Sequence, residues 1–96
     1  MPEWKFLTNH ALVLSFIANH PRITARELAD NIGITERATR KIIADLLEAG
    51  FITKKRDGRR NLYGVNTELT LRHYSHREVE IGDFLKALGW KKKGTE

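Results

Sequence analysis

Leu28-Ala29-Asp30-Asn31-Ile32-Gly33-Ile34-Thr35 is the stretch that decides the fold. Ala29 and Gly33 stand four residues apart among aliphatic residues. Where two helices cross steeply, the contact needs a small side chain, and Ala29 is one. A tight exit from a helix needs positive φ, which glycine adopts at no steric cost, so Gly33 marks the exit. Thr35 reads as the N-cap of the next helix. Leu28, Ile32, Ile34 and, beyond the turn, Ile42 are the buried aliphatics that flank it. Two helices meeting over a three-residue turn follow the helix-turn-helix logic.

Upstream, Thr24-Ala25-Arg26-Glu27 has the spacing of a capping box and opens a helix that runs to about Asn31. Arg22-Ile23 is a short extended link before it. A first helix covers Thr8 to Asn19, with Thr8 or Asn9 as cap and Leu12, Val13, Phe16 and Ile17 as its apolar stripe. His20-Pro21 ends it, because the residue before a proline is pushed out of the helical region. Downstream, a third helix runs from about Glu36 to Ala49, with Thr39, Ile42, Ile43 and Leu46 at helical spacing, and Gly50 stops it.

Phe51-Ile52-Thr53-Lys54-Lys55 then reads as a strand, Asp57-Gly58 as a hairpin turn and Asn61 to Val65 as the return strand. Residues 66–74 look irregular. A last helix begins near Ser75 or near Glu80, carries Ile81, Phe84, Leu85 and Leu88 on one face, and ends at Gly89. Trp90 and the tail Lys91 to Glu96 are expected to fray. The fold class is therefore α+β, mainly α: a three-helix core with a β-hairpin wing and a C-terminal helix.

Ninety-six residues hold one compact core. No run approaches the ~18 apolar residues that span a bilayer, so no membrane partner is expected. Met-Pro-Glu-Trp at the start does not look like a secretory signal. The sequence has no cysteine, which excludes disulfides and thiolate metal sites and suits a reduced, cytoplasmic setting. The formal net charge is +5, and its placement matters more than its size. Between Thr35 and Arg60 lie Arg37, Arg40, Lys41, Lys54, Lys55, Arg56, Arg59 and Arg60, against Glu36, Asp45, Glu48 and Asp57. That segment alone carries four of the five net charges.

Residues 8 to 65 resemble the winged helix-turn-helix regulators of the MarR and ArsR type. Gly33 to Ile52 is similar to their recognition helix and the strand that follows, the ending Asp-Leu-Leu-Glu-Ala-Gly-Phe-Ile (Asp45 to Ile52) above all. Gly58 to Val65 resembles the wing and its return strand. Thr39 departs from the valine usual there, and its hydroxyl needs a partner, for which the carbonyl four residues back is suited. The chain is shorter than a typical MarR protein. The resemblance implies a small transcriptional regulator that binds double-stranded DNA as a homodimer, with residues 1–74 as the DNA-binding domain. Residues 75–90 would be a helix for dimerisation or core closure, and 91–96 a basic flexible tail.

It further implies that the third helix enters the major groove. Helical geometry independently turns Glu36, Arg37, Arg40 and Lys41 away from the apolar stripe. Glu36, Arg37 and Arg40 are the expected base contacts, the arginines through bidentate pairing with guanine. Thr35, Lys41, Lys54, Lys55, Arg56, Arg59 and Arg60 are the expected backbone contacts. Trp4, Phe6, Ile81, Phe84, Leu85 and Leu88 are the expected dimer seam, with closure of the monomer core as the alternative reading of the last helix.

No catalytic constellation appears, so no enzyme is expected. His73 and His76 share a helical spacing, but without cysteines no metal and no cofactor are expected. No effector can be named; if one exists, the cleft between the core and the terminal helices is its place. The alternative function is a winged-helix docking module within a larger assembly.

Overall fold

The computed structural model describes residues 5–71 and 78–91. Its elements are α1 (Asn9–Asn19), α2 (Ala25–Ile32), α3 (Glu36–Glu48), β1 (Ile52–Asp57), β2 (Arg60–Val65) and α4 (Ile81–Ala87). The three expected N-caps are all present. The Thr8 hydroxyl accepts from the Ala11 amide at 3.1 Å. Thr24 and Glu27 complete their capping box in both directions. The Thr35 hydroxyl accepts from Ala38 at 3.0 Å. Gly33 leaves α2 with φ of 88°. Leu28 and Ala29 are buried at the α2–α3 crossing, while Ile32 and Ile34 are only partly covered. Thr39 is fully buried, and its hydroxyl donates to the Thr35 carbonyl at 2.9 Å, so the polar substitution leaves no unsatisfied group.

The buried stripe of α1 is Val13, Leu14 and Ile17, whereas Leu12 and Phe16 are half-covered. The shift follows from the neighbours of α1, which packs against α2, α3 and β2 at once. β1 and β2 form an antiparallel pair from Ile52↔Val65 to Asp57↔Arg60. The loop is therefore Gly58-Arg59, one residue later than the expected turn. Only Gly58 of the two has positive φ, at 64°, which makes it the two-residue turn with glycine first. Ile52 and Tyr63 turn inward, and the Tyr63 amide donates to the Pro21 carbonyl at 2.9 Å. The hairpin thus extends onto the link between α1 and α2.

The C-terminal part refines its sequence reading in three ways. Residues 66–71 are not irregular throughout, since Thr70 bridges Glu80. Leu71 donates to the Val79 carbonyl at 3.0 Å, and Ile81 to that of Leu69 at 2.6 Å. A Cβ on Gly82 would stand 3.0 Å from that of Thr67, so glycine permits this close crossing. Second, α4 begins at Ile81 with Glu80 as its N-cap, the later of the two expected starts, and its buried residues Ile81 and Leu85 join the core of α1 and α3. Third, Trp90 does not fray: its indole donates to the Ala18 carbonyl near the end of α1 at 3.0 Å.

Ile81 is 4% and Leu85 0% exposed within the single chain, which corrects their assignment to a dimer seam. Burying one such side chain contributes about 1.5–3 kcal/mol relative to exposure, so the monomer core takes them first. Phe84 is half-buried, Leu88 is 41% exposed and Phe6 is exposed. Trp4, Ser75, the His73–His76 pair and residues 92–96 of the tail lie outside the described residues. Among the described residues no helix is long and apolar enough to cross a membrane.

Candidate nucleic-acid interface

α3 presents two flanks, and the structure puts different partners beside them. One flank faces the wing across a groove of about 390 Å³. Arg40, Ile43, Ala44 and Leu47 form its helical wall. Lys54, Arg56, Arg59, Arg60, Asn61 and Tyr63 form its wing wall, and Thr24 and Ala25 close it at the start of α2. Five of these residues are cationic, and no carboxylate lines the groove. Like charges gathered on one concave wall raise the local potential well above that of an evenly charged surface.

Strand alternation explains why Lys54, Arg56, Asn61 and Tyr63 arrive there together, whereas Arg60 comes from the opposite face beside the turn. Ile52, Lys54 and Arg56 share one face of β1, so the buried Ile52 fixes where the other two stand. Lys55 falls on the opposite face, across from Leu62. It does not line the groove, although the sequence grouped it with its neighbours. Lys54 and Arg59 have no ion pair among the described residues. Arg56 donates from Nε to the Gly58 carbonyl at 3.0 Å, which stiffens the turn. Arg60 instead reaches backward, to the Arg22 carbonyl at 3.1 Å and the Glu27 carboxylate at 3.3 Å.

On the helix, Arg40 donates from Nη2 to Glu36 Oε2 at 2.6 Å. The pair is exposed, and a guanidinium has five donors, so this contact holds Arg40 while leaving donors for a further acceptor. Arg37 is exposed and unpaired among the described residues. The Thr35 hydroxyl uses a lone pair in capping, and no acceptor takes its proton among the described residues.

The other flank is neutralised. Lys41 Nζ donates to Asp45 Oδ1 at 2.8 Å, and His10 Nε2 of α1 lies 2.8 Å from Asp45 Oδ2. The hydrogen bond from Lys41, followed by that from His10, holds Asp45 below its ordinary 3.8. The same bond raises Lys41 above its ordinary 10.5. His10 and Asp45 also edge an open cleft of about 690 Å³ between α1, the end of α3 and α4, floored by Leu14, Leu46, Phe51, Ile81 and Phe84. This is where the sequence reading placed any effector. Among the described residues no cluster of three or more metal-ligating side chains occurs.

The groove brings together Arg40, Lys54, Arg56, Arg59 and Arg60, all of which the sequence reading names as expected DNA contacts. That reading missed Asn61, which lines the groove, and Arg22, which bonds Asp57 at 2.8 Å. Strand alternation pointed to Asn61. No local pattern signals a contact between residues so far apart as Arg22 and Asp57.

Residues 6–60 match the model of the MarR family. No curated protein matches the sequence. Among solved structures, the chain is similar to MepR, a transcription regulator of the Staphylococcus aureus multidrug efflux pump MepA. Identity is 19%, TM-score 0.55, and the match covers 62% of this chain and 47% of that one. It is similar to the PcaV transcriptional regulator from Streptomyces coelicolor at 22% identity and TM-score 0.55, over 71% of this chain and 50% of that one. It also resembles T. potens IscR, at 14% identity and TM-score 0.63, over 95% of this chain and 94% of that one. The match spans about half the length of the first two, and likeness at these identities establishes the fold alone.

Proposed function

The chain belongs to the MarR family, and from that premise we propose that it is a sequence-specific regulator of transcription that binds double-stranded DNA. The observation that carries this reading is the groove between α3 and the wing, lined by five cations and no carboxylate. The major groove of B-DNA admits one helix, and a wing beside it meets the adjacent backbone or minor groove. Arg37 and Arg40 are placed for guanine edges, and Glu36 both holds Arg40 and can accept from cytosine. Thr35, Lys54, Arg56 and Arg59 are suited to phosphate. Lys41 and Lys55 stand outside the groove and contribute less. The cationic groove argues against a docking module, which has no use for that charge, and membership of the MarR family argues against an enzyme.

The proposed unit is a cytoplasmic homodimer, because two half-sites one helical turn apart call for two-fold symmetry. With Ile81 and Leu85 inside the core, Leu88 and Phe84 carry what α4 offers to a seam, with Phe6 exposed nearby in sequence to α1. Sedimentation equilibrium at micromolar concentration tests this: twice the chain mass is expected, and a Leu88→Glu variant should shift toward the monomer. A wild type of single-chain mass bound to DNA overturns the dimer.

Anisotropy titration tests DNA binding itself, using duplex from upstream of the protein's own coding sequence and a random duplex. The wild type should prefer one upstream segment. Arg40→Ala should lose about 1–3 kcal/mol on that segment and little on the random duplex. Equal, weak binding of both proteins to both duplexes contradicts sequence-specific recognition through α3.

A further inference from the structure

Arg60 was grouped with the phosphate-binding cations, yet its contacts run away from the groove mouth. Its Nη1 donates to the Arg22 carbonyl at 3.1 Å and to Glu27 Oε1 at 3.3 Å. Arg22 in turn donates from Nη2 to Asp57 Oδ2 at 2.8 Å. Asp57 and Arg60 are the cross-strand pair that closes the hairpin. One residue of the α1–α2 link therefore holds both strands of the wing beside its turn: its guanidinium takes β1, and its carbonyl takes β2.

The Glu27 oxygen is shared as well. Oε1 accepts from the Thr24 amide at 2.9 Å to complete the capping box, and the same atom accepts from Arg60. The amide hydrogen bond, assisted by Arg60, holds this carboxyl below its ordinary 4.5. The start of α2 and the wing are thus tied through one atom. The Tyr63–Pro21 backbone hydrogen bond continues the tie further from the turn.

We propose that Arg60 is a positioning residue: with Glu27, Arg22 and Asp57 it latches the wing to the helix-turn-helix, so that Lys54 and Arg59 meet the DNA backbone at a set distance from α3. This rests on the DNA-binding reading above. A hairpin of two strands is only marginally ordered by itself, so an attachment at its outer end decides where its cations stand. The latch also gives Glu27 a role opposite to its charge. A carboxylate near DNA opposes binding electrostatically, whereas a carboxylate that holds the wing favours it.

That opposition in sign is the test. Glu27→Gln keeps the capping box, since glutamine accepts at the same place, and removes the charge that pairs with Arg60. Arg60→Gln, the double variant and Arg59→Gln complete the set. Each is titrated against the upstream and random duplexes across a salt series, with amide exchange of residues 57–62 measured on the free protein. Thermal midpoints check that each variant is folded.

The latch predicts that Glu27→Gln weakens binding about two- to fivefold, the scale of one exposed ion pair. Arg60→Gln should weaken it comparably with an unchanged salt slope, and the double variant should be no worse than either single one. Exchange at the wing should quicken in all three. Arg59→Gln should instead flatten the log–log salt slope by about 0.9, as loss of a phosphate contact does.

Three results overturn the proposal: tighter or unchanged binding by Glu27→Gln, a slope loss of about 0.9 for Arg60→Gln, or unaltered wing exchange in both. Failure of the wild type to bind any duplex at low salt sinks the DNA-binding reading and the positioning role with it. Amide exchange then still decides whether Arg60 and Glu27 hold the wing.

Discussion

The two flanks of α3 carry similar cations in different company. On the wing side, Arg40, which Glu36 holds at 2.6 Å, joins Lys54 and Arg59, unpaired among the described residues, and the turn-bonded Arg56 around a groove that no carboxylate lines. On the α1 side, Lys41 meets Asp45, and Asp45 also meets His10. Neighbouring positions on one helix thus differ by what the fold brings opposite them. Net charge alone predicts neither outcome. A polyanion is drawn to the first flank, while the second is already satisfied by the protein itself.

The largest effect that distinguishes the flanks is expected from Arg40→Ala, the loss of about 1–3 kcal/mol on the preferred duplex already described. Arg59→Ala and Lys54→Ala come next. Each should flatten the salt dependence of log K by about 0.9 and weaken upstream and random duplexes alike. Lys41→Ala should flatten it by clearly less, because Asp45 already balances that ammonium. Asp45→Asn is the sharper form of this test, since it frees Lys41 and should steepen the salt slope and tighten random-duplex binding. A Lys41→Ala effect equal to that of Arg59→Ala would erase the distinction between the flanks.

The smallest effect concerns pH. Asp45 is held below its ordinary 3.8 in the folded chain, so its share of stability is complete above that value. It disappears as pH falls through the lowered one. Lys41 is held above its ordinary 10.5, so its share is complete below that value and disappears as pH rises through the raised one. Both groups are solvent-accessible, and the change is correspondingly modest. Thermal midpoints measured from pH 6 to 3 should fall less steeply in Asp45→Asn than in the wild type. Parallel curves would show that the Lys41–Asp45–His10 contacts contribute nothing to folding.

What could be read from the sequence follows how far apart the interacting residues lie. The caps and turn of the α2–α3 unit are built from contacts within five residues. Thr24 with Glu27, Thr35 with Ala38, and Thr39 with Thr35 were all legible for that reason. The wing was legible from its turn glycine and its apolar flanks, with the loop displaced by one residue. Lys41 is an exception: Asp45 stands at i+4, a spacing that signals an ion pair, and only the arrival of His10 on the other Asp45 oxygen had no local sign. Arg60 was assigned to phosphate, since its partners stand more than thirty positions earlier in the chain.

The C-terminal arm shows the same limit in apolar form. Helical spacing identified the face of Ile81, Phe84, Leu85 and Leu88, but periodicity does not say what covers a face. The monomer core covers Ile81 and Leu85 and leaves Leu88 outside. The Thr70–Glu80 bridge and the Trp90–Ala18 hydrogen bond joined residues that no motif links.

The central claim is that DNA meets α3 and the wing on the groove flank. Amide chemical-shift mapping of the labelled protein during titration with the upstream duplex tests it most directly. The account predicts that shifts concentrate at residues 35–40 and 54–61, with residues 8–14 on the His10 flank little changed. Shifts concentrated at His10, Asp45 and α4, with the groove residues unmoved, would contradict it.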